Sequence, residues 1–459
     1  MDNKYQQIIS YIRSEITADH LKPGFRLPSI RETADRFNCN KATVIRAYQE
    51  MEQNHLLYSV PKSGFYVVDK KTADKKLSGK KPIDFSAAAP DSTIFPYRDF
   101  QHCLNQAIDN YKEDLFSYLY APGLPSLCQT LAHFFQDYQI FTSPENIFVT
   151  AGSQQALHIL VNMPFPNGKN HVLLEQPTYF LMERCCQVSN VTTIGIERNH
   201  EGIDLEELER IFSSGNIKFF YTIPRFHNPL GTSYSNGLKK QILQLAQKYN
   251  VYIVEDDYLA DLELDSKADP IYAFDTSSRV IYIRTFSKTL MPGLRLGIAV
   301  LPKLLLNTFR EYKNCADLST SILSQGALEI YIKSGMFVSH LKKIKSLYQE
   351  RMADLKKACQ TYLPSEINPI IPQTGFFTCL ELPFKAMHLV TGLQNQNIRV
   401  VNLENTFLAD FRRDNIIRIS VCKTNQAQIE EGISIIGKIM NSFLEKHPDS
   451  EPGYFNPFM

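Results

Sequence analysis

Apolar residues fall at helical spacing from Ile8 to Met51 and then alternate from Leu56 to Val68, which predicts helices followed by a hairpin. Ile8, Ile9, Ile12 and Ile16 mark the first helix. The chain turns at Lys22-Pro23-Gly24, and Leu27-Pro28-Ser29-Ile30-Arg31-Glu32 opens a second helix with Ser29 as its N-cap. After Asn38-Cys39-Asn40, the residues Val44, Ala47, Tyr48 and Met51 form the buried stripe of a third. That stripe leaves Lys41, Ala42, Ile45, Arg46 and Gln49 on other faces. Two helices joined by a tight turn, the second with a basic face, predict a helix-turn-helix, and the hairpin with its basic tip predicts a wing.

Beyond residue 82 the pattern changes to short apolar runs, each ending in polar chemistry, as buried strands of a parallel sheet do. Val280 to Ile283 leads into Thr285-Phe286-Ser287-Lys288-Thr289, with Arg295 shortly after. A lysine that forms a Schiff base with a carbonyl cofactor must be held at a strand end beside phosphate-binding groups, and Thr285, Ser287 and Arg295 are of that kind; a surface lysine in a turn is the alternative. Val251 to Val254 runs into Glu255-Asp256-Asp257-Tyr258, which places acid groups where open α/β sheets bind ligands. A pyridoxal ring draws electrons only while its nitrogen is protonated, so a carboxylate there suits it, and Asp256 is the residue chosen. The third run, Asn146 to Thr150, turns through Gly152 into a helix bearing Ala156, Leu157, Leu160 and Val161. Its first-turn N–H groups, with Ser153 and Gln154, form an anion cradle. Glu175-Gln176-Pro177-Thr178-Tyr179 offers a stacking ring, and Phe226-His227-Asn228-Pro229 an amide donor.

In this order the pieces resemble the fold-type I aminotransferases, over about Ile83 to Leu444. The resemblance implies pyridoxal 5'-phosphate as cofactor, Lys288 as its aldimine and catalytic lysine, Asp256 as pyridine partner, and Asn228 and Tyr258 at the phenolic oxygen. Tyr179 becomes the stacking ring. Ser153, Gln154, Thr285, Ser287 and Arg295 would hold the phosphate, joined by Tyr118 of the neighbouring subunit. Arg418, in Ile416-Ile417-Arg418-Ile419-Ser420, matches the arginine that grips a substrate carboxylate. The first 68 residues resemble the winged helix of the GntR family through Leu27-Pro28-Ser29-x-Arg31, Thr43-Val44, Leu56 and Gly64. That resemblance implies DNA contacts from Arg31, Lys41, Thr43 and Arg46 and from the wing residues Lys62, Ser63 and Gly64. The recognition helix opens with Asn40-Lys41 rather than the commoner Ser-Arg, which leaves the operator open.

Charge agrees with this division. Residues 1–82 hold 15 Lys and Arg against 9 Asp and Glu, a net of +6, and the remainder holds 34 against 39, a net of −5, out of totals of 49 and 48. The basic part is the one expected to meet double-stranded DNA. The expected organisation is a winged helix at 1–68, a basic linker at 69–82, an α/β aminotransferase-like domain at 83–445 with a large, mostly parallel sheet and a smaller α/β part, and a polar tail at 446–459. Extended, the linker spans about 45 Å at about 3.3 Å per residue; it reads as a tether, with an ordered arm across a partner as the alternative. Nine cysteines without Cys-x-x-Cys spacing predict reduced thiols and no metal, and a polar-amphipathic start without a long apolar run predicts a cytoplasmic protein.

Together the two halves resemble the MocR-type regulators, which form head-to-tail dimers and sense a metabolite. Relatives respond to γ-aminobutyrate, taurine or pyridoxal phosphate itself. Three readings follow: a regulator sensing an amine, amino acid or the cofactor at Lys288; a working aminotransferase with an accessory DNA-binding domain; and a repressor with a degenerate pocket. Two features depart from the usual pattern. Leu127-Cys128 stands where many relatives have Leu-Arg, and Asn228 is the residue of true aminotransferases, which favours residual transaminase chemistry.

Overall fold

The computed structural model describes residues 4–18, 20–54, 56–60, 63–68, 82–117 and 121–446. Lys62, Tyr118 and the expected linker up to residue 81 lie outside the described residues, as does the tail from 447. The chain divides into two units, 1–80 and 81–459.

In the first unit, α1 (Lys4–Thr17), α2 (Ile30–Arg36) and α3 (Lys41–Gln53) precede a hairpin of β1 (Leu57–Val60) and β2 (Gly64–Val67). Local chemistry starts each inner helix. Ser29 and Glu32 form a reciprocal capping box on α2, and the Asn40 side chain accepts from the Thr43 N–H at 2.8 Å on α3. Ile8, Ile9, Ile12, Val44, Ala47, Tyr48 and Met51 make one core with Leu57 and Val67 of the hairpin. The buried Tyr48 hydroxyl is satisfied by Thr33 Oγ1 at 2.8 Å and Pro28 O at 3.1 Å.

The second unit opens with β3 (Ile83–Asp84), α4 (Tyr97–Asn110) and α5 (Pro125–Phe134). It continues through β4 (Ile147–Thr150), α6 (Ser153–Asn162), β5 (His171–Gln176), α7 (Phe180–Val188), β6 (Thr193–Glu197), α8 (Leu205–Ser213), β7 (Ile217–Thr222) and α9 (Asn236–Lys248). Then come β8 (Tyr252–Asp256), β9 (Val280–Thr285), β10 (Gly297–Val300), α10 (Leu306–Asp317), α11 (Ile322–Lys333) and α12 (Met336–Tyr362). The chain closes with β11 (Phe377–Glu381), α13 (Ala386–Asn395), β12 (Ile398–Arg399), β13 (Val401–Asn402), β14 (Ile416–Ser420) and α14 (Gln426–Lys446). Helix α14 thus includes Lys446, the first residue of the expected tail.

Seven strands form the large sheet in the order β4-β10-β9-β8-β7-β5-β6. The pairs from β9 through β8, β7 and β5 to β6 are parallel, whereas β10 runs antiparallel to β9 and β4. Parallel strands need helical crossovers, which cover both faces and explain why the strands read as continuous apolar runs. The smaller part is the antiparallel sheet β11-β14-β13, beside a parallel pair of β12 with β3.

Period-two alternation fixes which polar residues share a face. Phe148, Phe219, Tyr221, Tyr252, Val254, Ile281, Ile283 and Ala299 enter one core, while Phe220, Ile253 and Val280 enter another on the opposite side. Continued to the strand ends, the same alternation puts Thr150, Asp256 and Thr285 on the first side, and Glu255 and Asp257 on the second.

Candidate functional site

The strand-end residues converge at the carboxyl edge of the parallel strands. Lys288 is half-buried in the turn after β9, and its Nζ donates to the Ala88 carbonyl. Burial lowers its pKa; Arg418 pushes the same way, and Cys422 and Asp256 push back. Less of the amine is then protonated than in a surface lysine, as a nucleophilic amine requires.

Asp256 is buried at the end of β8, where Oδ2 accepts from the Tyr221 hydroxyl at 2.8 Å and Oδ1 has no partner. Burial raises its pKa to about 7, and neighbouring Asp257 adds to the rise, against Tyr221 and Lys288. Asp257 lies in a different environment. Burial works against its charge too, but Arg225 holds it low: Arg225 Nε donates to it at 3.0 Å and Tyr282 at 2.9 Å. The carboxylate with an open oxygen is therefore Asp256.

The anion cradle is built by close backbone approach. Gly152 precedes α6 at φ +82°, and a Cβ there would lie 2.6 Å from the Arg295 guanidinium; a Cβ on Gly297 would lie 2.5 Å from Ser153 N. Arg295 Nη2 donates to Ala151 O at 2.9 Å. Gln154 Nε2 is buried without a partner, and Thr285 Oγ1 accepts from Ser287 N at 3.1 Å. Tyr179 lies near Gln154, Asp256 and Arg295, its hydroxyl pushed up to about 12 chiefly by burial.

Arg418 reaches in from β14. Nη1 donates to Asn228 Oδ1 at 3.0 Å, Nη2 to Ser86 O at 2.9 Å, the guanidinium sits 4.2 Å from the Phe377 ring centre, and Nε has no partner. Among the described residues no carboxylate pairs with it. Tyr258, expected at a phenolic oxygen, spends its own proton on Phe226 O at 2.7 Å, so from this position it can only accept.

The buried atoms left open are an acceptor at Asp256, a donor at Gln154 and a cation at Arg418, set about a lysine. They suit a ligand with a protonated ring nitrogen and anionic groups, and the pyridoxal phosphate expected above has both features. Neighbours that sequence reading missed complete the pocket: Tyr221, the Ser86 to Ala88 carbonyls, and the thiols of Cys379 and Cys422. The signal for Tyr221 was present, as the hydroxyl of matching parity near the end of a largely apolar strand. For the carbonyls there was none, because side-chain identity says nothing about which backbone oxygen lines a cleft.

In the first unit Arg31, Lys41 and Arg46 are exposed, and the Arg46 guanidinium lies 4.8 Å from the Tyr5 ring centre. The Thr43 hydroxyl donates to Asn40 Oδ1 at 2.7 Å. Ser63 Oγ is 2.6 Å from Tyr66 Oη, and Gly64 takes φ +121° at the hairpin turn. Among the described residues no helix is long and apolar enough to cross a membrane.

Comparison with known proteins agrees with this division. Residues 80–436 match the aminotransferase class I and II family, and residues 4–67 match the bacterial regulatory proteins of the gntR family. The uncharacterized HTH-type transcriptional regulator YcxD of Bacillus subtilis is 44% identical over 94% of this chain and 99% of its own length. The probable rhizopine catabolism regulatory protein MocR of Rhizobium meliloti is 27% identical over 78% of each chain. Among solved structures, Pyrococcus horikoshii kynurenine aminotransferase, in complex with PMP, superimposes with a TM-score of 0.74 at 26% identity over 80% of this chain and 92% of that one. The chain belongs to the aminotransferase class I and II family and, with its gntR-family domain, is a DNA-binding transcription regulator carrying an aminotransferase-like domain.

Proposed function

We propose that this regulator binds pyridoxal 5'-phosphate at Lys288 and senses a small primary amine that carries a carboxylate. The observation that carries this reading is Arg418, a buried guanidinium beside Lys288 with no carboxylate partner among the described residues. A buried cation without a counter-ion is costly, and an arriving carboxylate offsets that cost.

When bound, pyridoxal phosphate supplies an aldehyde that condenses with amines and a ring that withdraws electrons. Lys288 would present its amine to that aldehyde. Asp256 Oδ1 would accept the ring N–H, with Tyr221 holding the other carboxylate oxygen. The α6 N-terminus, Ser153, Gln154, Thr285, Ser287 and Arg295 would hold the phosphate, Tyr179 would cover a ring face, and Asn228 would sit at the phenolic oxygen, which Tyr258 could serve as a donor only by giving up its bond to Phe226 O. Arg31, Lys41, Thr43, Arg46 and the wing residues Lys62, Ser63 and Gly64 meet DNA. A cytoplasmic head-to-tail homodimer, with Tyr118 reaching the neighbouring pocket, would read two half-sites. The same proposal takes the domain limits as 1–68, 69–82 and 83–445, with a tail at 446–459.

A route from pocket to linker follows from connectivity. Lys288 and Arg418 both donate to carbonyls of Ser86 to Ala88, the stretch directly after β3, where the chain enters the second unit. An effector that engages both side chains competes with those two bonds.

Asn228, oriented by Arg418, favours a second reading as a working aminotransferase. Borohydride reduction of the cofactor-loaded protein followed by peptide mapping tests the first reading: label on Lys288 supports it, and label elsewhere or none removes it. Sustained turnover of an amino acid with a keto acid would favour the second.

A further inference from the structure

The cleft between the large sheet and the small β11-β14-β13 sheet holds more than the Lys288 pocket. Beyond the segment Asn228 to Gly231 lies another cavity of about 510 Å³, which shares Cys379 with the surroundings of the Lys288 pocket but none of the residues assigned above to hold cofactor or effector. The segment is a dividing wall. Asn228 meets Arg418 on one side, Leu230 lines the cavity on the other, and Cys379 Sγ donates to Pro229 O at 3.3 Å. A Cβ on Gly231 would lie 2.2 Å from the Phe377 carbonyl, so the wall sits directly against β11.

The lining is specific in its chemistry. Ile367, Ile370, Leu382 and Phe407 give apolar walls. Gln176 and Arg198 also line the cavity; they are 1% and 3% exposed, and the Gln176 amide nitrogen and Arg198 Nε have no partner. Two buried donors without acceptors require an oxygen. At the exposed edge Glu197, Glu366 and Glu381 line the cavity with Arg413, which pairs with Glu197 and, at 3.9 Å, with Glu381. The volume falls in the range of small-molecule sites, about 300–1,000 Å³.

We propose that this cavity is a second ligand site, taking a small amine with an apolar body, an acceptor oxygen directed to Gln176 and Arg198, and an ammonium group directed to Glu366. It stands apart from the reading of the Lys288 pocket.

The test uses N,N-dimethyltyramine, whose tertiary amine cannot condense with an aldehyde, so that binding at the carbonyl cofactor is avoided. Calorimetry on the full-length, cofactor-loaded protein is expected to give one saturable site per chain, with the visible absorbance unchanged. Glu366→Lys and Ile370→Trp, both at exposed positions, should each weaken binding by about tenfold or more, through a reversed charge and a filled cavity respectively. A circular dichroism melt of each variant matching the parent shows that folding is intact. No saturable binding at millimolar concentration overturns the proposal, as does binding unaffected by both variants. Binding that changes the absorbance and is lost in Arg418→Ala places the ligand in the Lys288 pocket and also overturns it.

Discussion

Arg418 and Asn228 meet across the cleft, Nη1 to Oδ1 at 3.0 Å, so one guanidinium both orients the amide and faces the lysine pocket. If the remaining donors of Arg418 grip an effector carboxylate, Arg418→Ala should keep the cofactor colour and DNA binding while effector affinity falls by about 2–3 kcal/mol, roughly 30- to 150-fold. Titration of the visible absorbance with carboxylate-bearing amines reads this. Wild-type affinity in the variant would make Arg418 structural.

The two neighbouring aspartates should separate cleanly. Asp256→Ala removes the open oxygen and is expected to weaken cofactor binding while leaving the fold. Asp257→Ala strands Arg225 in the interior and should cost stability instead, about 3–5 kcal/mol for a broken buried pair. Cofactor titrations beside denaturant melts distinguish them, and the reverse pattern would mean that the pyridine partner is misassigned.

Asp256 also predicts a pH dependence for the cofactor-free protein. Its folded pKa of about 7 lies above the unfolded value near 3.9, chiefly because burial disfavours the charge. The stability it contributes is therefore fully present below the unfolded pKa and lost as pH rises through about 7. Melting curves of parent and Asp256→Asn should diverge across that window and run parallel above it. A constant difference from acid to neutral pH would contradict the assignment.

How far the pocket was legible follows from how each part arises. Lys288, Asp256 and Gly152 stand out because strand-end chemistry is local: an apolar run, then a polar residue whose parity sets its face. The winged helix was legible for the same reason, since Ser29, Glu32 and Asn40 cap their own helices within three residues. Tyr221 on Asp256 depends on the pairing of β7 with β8, which a single chain read alone does not display. The Ser86 to Ala88 carbonyls and the second cavity depend on how the small sheet closes on the large one. The new engagement of Tyr258 with Phe226 O is likewise a matter of tertiary placement.

On the DNA side, Lys41 and Arg46 are exposed on α3. If each contacts phosphate, Lys41→Ala and Arg46→Ala should lower affinity alike for all sequences and reduce the salt slope by about 1 apiece, whereas a base-reading residue would cost about 1–3 kcal/mol at one operator position. Binding isotherms at several salt concentrations decide this, and unchanged operator affinity in both variants would exclude α3 as the recognition helix.

The central claim is that one pocket, formed around Lys288 and Arg418, governs DNA binding. It is tested most directly by titrating primary amines and amino acids against the visible spectrum of the cofactor-loaded protein, with and without operator DNA. Linkage requires that operator change the effector's affinity by the same factor as effector changes the operator's. The expected result is a carboxylate-bearing amine whose titration midpoint shifts when operator is added, by a factor matched in the reverse experiment. Spectral titrations that superimpose with and without operator, for every amine that enters the pocket, would contradict the account.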